Sequence, residues 1–256
     1  MKPDVVADIG NSRIKWGLCA EDRVERMARL PSDDPDAWQK QAEAWNLPSG
    51  QKWALASVQR QTLLRHSKWV RSRGDTVRVL MSWKDLGVQV RLEHPEGVGF
   101  DRLLNAIAAK DHVKRPLPIL IVDAGSAVTV DQVDATGAFV GGVIFPGCRL
   151  MARSLHDYTD ALPQVDVNVV SPPLPGNTTA GAIQGGVFWA VAGGIKAVLR
   201  QMAARARHGT WHGREDPVVF LTGGDAKLLA PVMDSWVIVW PEMTLEGIRI
   251  AAEGLS

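Results

Sequence analysis

Leu117-Pro-Ile-Leu-Ile-Val-Asp-Ala-Gly-Ser-Ala-Val-Thr-Val-Asp131 reads as a buried strand, a tight turn and a second strand. The apolar run Leu117 to Val122 ends on Asp123. Gly125 and Ser126 supply turn chemistry, and Ala127 to Val133 resumes the strand. The same device stands near the start of the chain. Val5, Val6 and Ala7 lead into Asp8, Gly10-Asn11-Ser12 makes the turn, and Ile14, Trp16 and Leu18 recur with period two. The two aspartates stand at 8 and 123 in a chain of 256 residues. A repeat at close to half the length implies two similar halves, not the short period of a solenoid.

Working outward, the pattern alternates strands and helices. Asp34 to Trp45 predicts a helix with Pro35 in its first turn. Lys52 to Val58 and Thr76 to Met81 predict strands, and Gln61 to Arg73 between them a basic amphipathic helix with a solvated face. A helix over Asp101 to His112 is entered through the loop Glu96-Gly-Val-Gly-Phe100. In the second half, Ala138 to Phe145 gives a third strand and Cys148 to Leu162 a helix. Pro163 to Pro175 makes a loop. Thr179 to Arg207 is a long Ala/Gly-rich helix with a break expected at Gly193-Gly194, and His208 to Asp216 is a polar connection. Val218 to Leu221 is a strand that runs into Thr222-Gly223-Gly224-Asp225, after which Ala226 opens a helix. The expected architecture is α/β, with an N-terminal half over 1–115 and a C-terminal half over 116–256.

Composition narrows the function classes. Lys+Arg 29 against Asp+Glu 28 leaves a net charge of +1, so the basic surplus of a protein that coats nucleic acid is missing. A charged fraction of 22% and a hydrophobic fraction of 46% exclude wholesale disorder. Apolar stretches such as Pro118 to Val122 and Val187 to Ala192 are short of the roughly 20 residues that span a bilayer, and no secretory h-region is present. Cys19 and Cys148 make no disulfide framework, and no Cys/His cluster has zinc spacing. A cytoplasmic globular protein without nucleic-acid or membrane partners is expected. Ten Trp stand against one Tyr and five Phe, and Trp16, Trp53, Trp69, Trp83, Trp189, Trp236 and Trp240 fall in or beside apolar runs as core or interface anchors.

Four segments carry candidate chemistry. An acidic residue at a strand end beside a glycine turn, as in Asp8-Ile-Gly-Asn-Ser-Arg-Ile-Lys15, lets backbone N–H groups approach phosphate oxygens while the carboxylate holds hydrated Mg²⁺. The same residues also fit an ordinary hairpin. Asp123 to Asp131 repeats the device with hydroxyls at Ser126 and Thr129, and two such hairpins can clamp a nucleotide's phosphates from two sides. Leu221-Thr-Gly-Gly224 brings backbone close to a ribose or base, ahead of a helix N-terminus that favours negative charge. Gly97-Val-Gly-Phe-Asp-Arg102 sets an Asp beside an Arg: Asp101 can accept a hydroxyl proton and Arg102 can grip a carboxylate or phosphate, unless Asp101 is only a helix cap.

In order, the motifs D-x-G-N-S-x-x-K, G-x-D-R, D-x-G-S-A-x-T-x-D, Gly141-Gly-Val-Ile-Phe-Pro-Gly147, Asn177-Thr-Thr-Ala-Gly-Ala-Ile-Gln-Gly-Gly186 and T-G-G-D-A run from about Val5 to Ile248. The ordered set resembles the type III pantothenate kinases, of the acetate and sugar kinase, heat-shock chaperone and actin superfamily. The resemblance implies two ribonuclease-H-like halves, each a mixed sheet flanked by helices. It also implies ATP-dependent phosphorylation of pantothenate, the first step of coenzyme A synthesis.

Residue by residue, the resemblance implies that Asp8, Ile9, Gly10, Asn11, Ser12, Arg13, Ile14 and Lys15 bind ATP, with Asp8 near Mg²⁺, and that Ser126 contacts ATP in place of a more common Thr. Gly99, Phe100, Asp101 and Arg102 match the pantothenate segment, with Asp101 the general base and Arg102 on the substrate carboxylate. Asp123 matches the position of a monovalent cation, K⁺ or NH₄⁺. Thr179 matches a substrate-binding Thr, with Thr178 the alternative. A homodimer is implied too. Two departures stand out: Leu92 occupies the place of a substrate-contacting Tyr, and Phe100 is bulkier than is usual there. Another small-molecule kinase of the superfamily and an accessory or regulatory protein are the rival readings.

Overall fold

Val5, Ala7 and Ile9 alternate with Val6 and Asp8 along β1 (Val5–Ile9), so one face of that strand enters an apolar core and the other carries a carboxylate. The computed structural model describes residues 1–10, 13–57, 59–208 and 216–254. β1 runs antiparallel to β2 (Ile14–Ala20), which pairs antiparallel with β3 (Arg23–Leu30). On its other side β1 is parallel to β4 (Lys52–Ser57), and β4 to β5 (Thr76–Val79). The sheet order is therefore β3-β2-β1-β4-β5. Helices α1 (Pro35–Ala44), α2 (Arg60–Ser72) and α3 (Phe100–Val113) complete this part of the chain. The Asp34 side chain accepts from the Ala37 N–H at 2.9 Å, and Pro35 opens α1 as expected.

The second sheet repeats the first. It is built from β6 (Ile119–Ala124), β7 (Ala127–Val133), β8 (Phe139–Pro146), β9 (Val218–Thr222) and β10 (Val237–Val239). β6 is antiparallel to β7 and parallel to β9, β7 is antiparallel to β8, and β10 is parallel to β9, giving β10-β9-β6-β7-β8. Read from β6 outward, this is the order and polarity of the first sheet read from β1. The expected duplication is thus a property of strand pairing. Its helices are α4 (Cys148–Asp157), α5 (Thr179–His208) and the single turn α6 (Ala226–Leu229). One face of this sheet packs Leu120, Val122, Val128, Val130, Val219 and Leu221 against α4 and α5.

α7 (Met243–Gly254) returns to the first sheet. The chain forms two compact units, one of Met1–His112 with everything from Glu242 onward, the other Val113–Pro241. The expected C-terminal half over 116–256 therefore loses its last segment. The reason is packing: Glu246 accepts from the Val24 N–H, and the N-terminal amine donates to the Ala252 carbonyl at 2.9 Å. A Cβ on Gly247 would collide with the Leu104 carbonyl.

Other expectations need correction. The helix expected over Cys148 to Leu162 stops at Asp157. No break occurs at Gly193-Gly194, because buried Val191, Ala192, Ile195 and Leu199 hold α5 against the core on both sides of the pair. α5 is long and apolar enough to cross a membrane by length and composition, yet it is the core helix of this unit. Trp16 and Trp53 are fully buried, as is Trp38, but Trp236 is 51% exposed. Val58 and most of His208 to Asp216 lie outside the described residues.

Candidate active site

In the first unit, the turn after β1 closes through a hydrogen bond from the Gly10 N–H to the Arg13 carbonyl at 3.1 Å. Asn11 and Ser12, between them, lie outside the described residues. Asp8 and Lys15 face each other across β1 and β2, with Lys15 Nζ 3.3 Å from Asp8 Oδ2. Ile9 and Ile14 pair in the next register position and are buried, so only their backbone is available to a ligand. The Ser57 hydroxyl on β4 donates to the Ile9 carbonyl at 3.2 Å, which ties the strand end down.

Asp101 and Arg102 occupy the first turn of α3 and are both half-buried. Asp101 is not the helix cap: it lies within the helix, and its Oδ1 accepts from the Arg102 N–H at 2.9 Å. The Gly99 carbonyl accepts from the N–H groups of Arg102 at 3.2 Å and Leu103 at 3.4 Å. A Cβ on Gly99 would lie 2.6 Å from Asp101 Oδ1, so glycine is what lets the carboxylate fold back over the helix start. The sole tyrosine, Tyr158, is 87% exposed just after α4.

In the second unit three segments meet at Asp123. Its partners in register are Thr129 on β7 and Thr222 on β9. Gly223 takes φ +100°, a conformation that favours glycine, and a Cβ there would lie 2.5 Å from Asp123 Oδ1 and collide with the Ala124 carbonyl. That carbonyl also accepts from the Asp225 N–H at 2.8 Å. The Gly147 N–H donates to the Ser126 carbonyl at 3.0 Å, so the start of α4 abuts the Asp123 turn, where the exposed Ser126 sits. Arg149 on α4 reaches the buried Asp225, Nη2 to Oδ1 3.4 Å. The helix expected after the glycine pair is a single turn, so its dipole offers an anion little.

Thr178 and Thr179 divide their tasks. The Thr178 hydroxyl accepts from the Gly181 N–H at 3.0 Å, and its carbonyl from the Ala182 N–H at 2.8 Å. Thr178 therefore caps α5, while Thr179 is the first helical residue and is exposed. Burial pushes the Cys148 thiol up to about 11 and the Cys19 thiol up to about 12, so neither offers a thiolate near neutral pH. Among the described residues no three His, Cys, Asp or Glu side chains cluster for a metal. The sequence motifs did not single out Arg149; they gave Thr129 as a hydroxyl of the second phosphate hairpin, and Thr222 and Asp225 only as parts of the glycine turn. T-G-G-D was a visible signal, but only strand register shows which of its atoms meet Asp123.

From residue 5 to 201 the chain matches the family model for type III pantothenate kinase. This chain belongs to that family. A type III pantothenate kinase from Desulfosudis oleivorans is 31% identical over 259 residues, covering 96% of this chain and 97% of that protein. One from Thermomicrobium roseum is 31% identical over 261 residues, with 97% and 96% covered. Among solved structures, a Campylobacter jejuni protein described as a Baf family transcriptional activator superposes with a TM-score of 0.60 at 20% identity, covering 97% of each chain. A Sinorhizobium meliloti protein described as a 2-dehydro-3-deoxygalactonokinase gives 0.52 at 13%, covering 97% of this chain and 98% of that one. These two likenesses carry the fold alone. The type III pantothenate kinases are kinases that use ATP, which is the chemistry a carboxylate and an arginine at a glycine turn can serve.

Proposed function

We propose that this type III pantothenate kinase transfers the γ-phosphoryl group of ATP to the primary hydroxyl of pantothenate, the first step of coenzyme A synthesis, with Asp101 as general base. The observation that carries the assignment is the first turn of α3, where Asp101 and Arg102 are consecutive and Gly99 leaves room for the Asp101 carboxylate and the Arg102 stem. Phosphoryl transfer asks a protein for positioning and charge compensation more than for covalent chemistry. The Arg102 N–H holds one Asp101 oxygen and so fixes the carboxylate that accepts the hydroxyl proton. Arg102 grips the remote carboxylate of pantothenate with its fork of N–H donors. Thr179, whose neighbour is occupied in capping, adds a hydroxyl to the substrate.

The backbone from Asp8 to Lys15, including Ile9, Gly10, Arg13 and Ile14, meets the ATP phosphates, and Ser126 donates to them. Mg²⁺ bound with ATP neutralises charge developing on the transferred phosphoryl group. Magnesium keeps several waters and takes one or two carboxylates beside phosphate oxygens, so the single carboxylate of Asp8 fits it. A monovalent cation, K⁺ or NH₄⁺, fits Asp123, since every side-chain donor on the adjoining strands at that register is an oxygen. A homodimer is also proposed. Val143 and Ile144 are 39% and 61% exposed on edge strand β8, and Leu150 on α4 is 47% exposed, a surface suited to a second copy. Use of ATP favours the cytoplasm as the place of action.

The deciding experiment is phosphate transfer by purified protein, followed by the mass of the product, with K⁺ or Na⁺ as the only monovalent cation. Pantothenate-dependent ADP release that is faster in K⁺ is expected. Absence of a phosphorylated pantothenate would overturn the function, and equal rates in both salts would remove the monovalent cation. Light scattering of the same preparation should give the mass of two chains.

A further inference from the structure

The Thr222 side chain is 1% exposed, and its hydroxyl is buried with no hydrogen-bond partner. The Thr129 hydroxyl is in the same condition. A buried hydroxyl left unsatisfied costs about 1–3 kcal/mol, so two of them on either side of one carboxylate call for a ligand or a reason. Both threonines are in register with Asp123, one on each neighbouring strand. Paired residues on adjacent strands point to the same face, with Cβ atoms about 4.5–5.5 Å apart. The Asp123 carboxylate thus stands between two hydroxyls, and the Gly223 backbone closes in on its Oδ1 from a third side.

The donor set decides the ligand chemistry. One carboxylate and two neutral hydroxyls offer only oxygen, which suits a hard cation and not zinc or copper. A single negative charge with neutral oxygens suits a single positive charge. We propose that Thr222 and Thr129 are cation-contacting residues, so that the Asp123 site is a row of oxygens across β9, β6 and β7. The proposal rests on the assignment of a monovalent cation to Asp123, and adds two ligands to it. The cation supplies the partner that each hydroxyl lacks.

The test is thermal unfolding against K⁺ concentration at constant ionic strength, with choline as the replacement ion, on the parent chain, Asp123→Asn, Thr129→Val, Thr222→Val and Thr222→Ser. Valine keeps the shape and removes the hydroxyl. Without K⁺, Thr222→Val should therefore unfold at the parent temperature or above it, because an unsatisfied polar atom is gone. With K⁺, the midpoint of stabilisation should move to about tenfold higher concentration in each valine variant, and stay near the parent value in Thr222→Ser. Asp123→Asn should show no potassium response. Parent-like midpoints in both valine variants, with the response lost only in Asp123→Asn, would overturn the threonine ligands and leave the Asp123 site standing. A parent chain that does not respond to K⁺ would overturn both.

Discussion

Asp101 and Arg102 are adjacent in sequence, and the first turn of α3 gives them different work. In Asp101→Asn the amide keeps the shape and cannot take up the proton, so turnover should fall by about 10²–10⁴ with unchanged unfolding. Near-parent turnover in a folded Asp101→Asn protein would end the base assignment. Arg102 can be tested through the substrate. Lysine keeps the charge and loses the two-pronged fork, so Arg102→Lys should lower kcat/KM for pantothenate more than for a pantetheine-like alcohol without the carboxylate. Equal losses for the two compounds would contradict a carboxylate grip. At this scale the candidate residues were legible where the chemistry is local. Asp8, Gly10, Gly99 and Asp101 declare themselves by neighbours in the chain. Thr129 shows as a hydroxyl of the second hairpin but its place opposite Asp123 does not, and Thr222 meets Asp123 only through register between strands far apart in sequence.

Elements were legible in proportion to how plainly they alternate. β1, β6 and β7 carry clean apolar runs, whereas β3 is an edge strand with Arg23, Glu25 and Arg26 exposed, and its charges hide the pattern. β10 is only Val237–Val239, too short to stand out. α7 has buried Met243, Leu245, Ile248, Ala251 and Ala252 at helical spacing, but buried Glu246 and Arg249 interrupt the apolar face with an ion pair at 2.7 Å. The helix glycines separate two physical roles. Gly247 lies against the Leu104 backbone, so Gly247→Ala should push α7 off α3 and destabilise by about 1–3 kcal/mol. Gly193 has nothing within 4 Å of its would-be Cβ, so Gly193→Ala should stabilise by about 0.5–1 kcal/mol through helix propensity. Urea midpoints should therefore move in opposite directions, and a shift of the same sign in both would refute the packing difference.

The duplicated topology was legible for the whole molecule because two aspartate turns half a chain apart mark the same point in both sheets. The return of the chain from Glu242 to the first unit was not, since nothing local in sequence says which sheet α7 will cover. Nor did the Trp count reveal what the indoles surround. His66 is fully buried among Trp16, Trp38, Trp53 and Trp69, with ring centroids 5.0–5.8 Å from its own. The Trp16 indole N–H donates to His66 Nε2 at 2.9 Å, so the neutral ring carries its proton on Nδ1, which has no hydrogen-bond partner. Burial holds His66 down to about 3 from 6.5. The unfolded chain therefore binds a proton that the folded chain refuses, and folding is favoured fully above the unfolded value. Stability from this group is lost as pH falls from about 6.5 toward 3, at about 1.4 kcal/mol per pH unit. Between pH 7 and pH 5 the loss should reach about 2 kcal/mol, read as a lower urea midpoint and an earlier rise in exposed-indole fluorescence. His66→Gln cannot take up that proton. It should be less stable at pH 7 yet much flatter between pH 7 and 5, whereas a slope equal to the parent's would show that other groups set the acid limit of this fold.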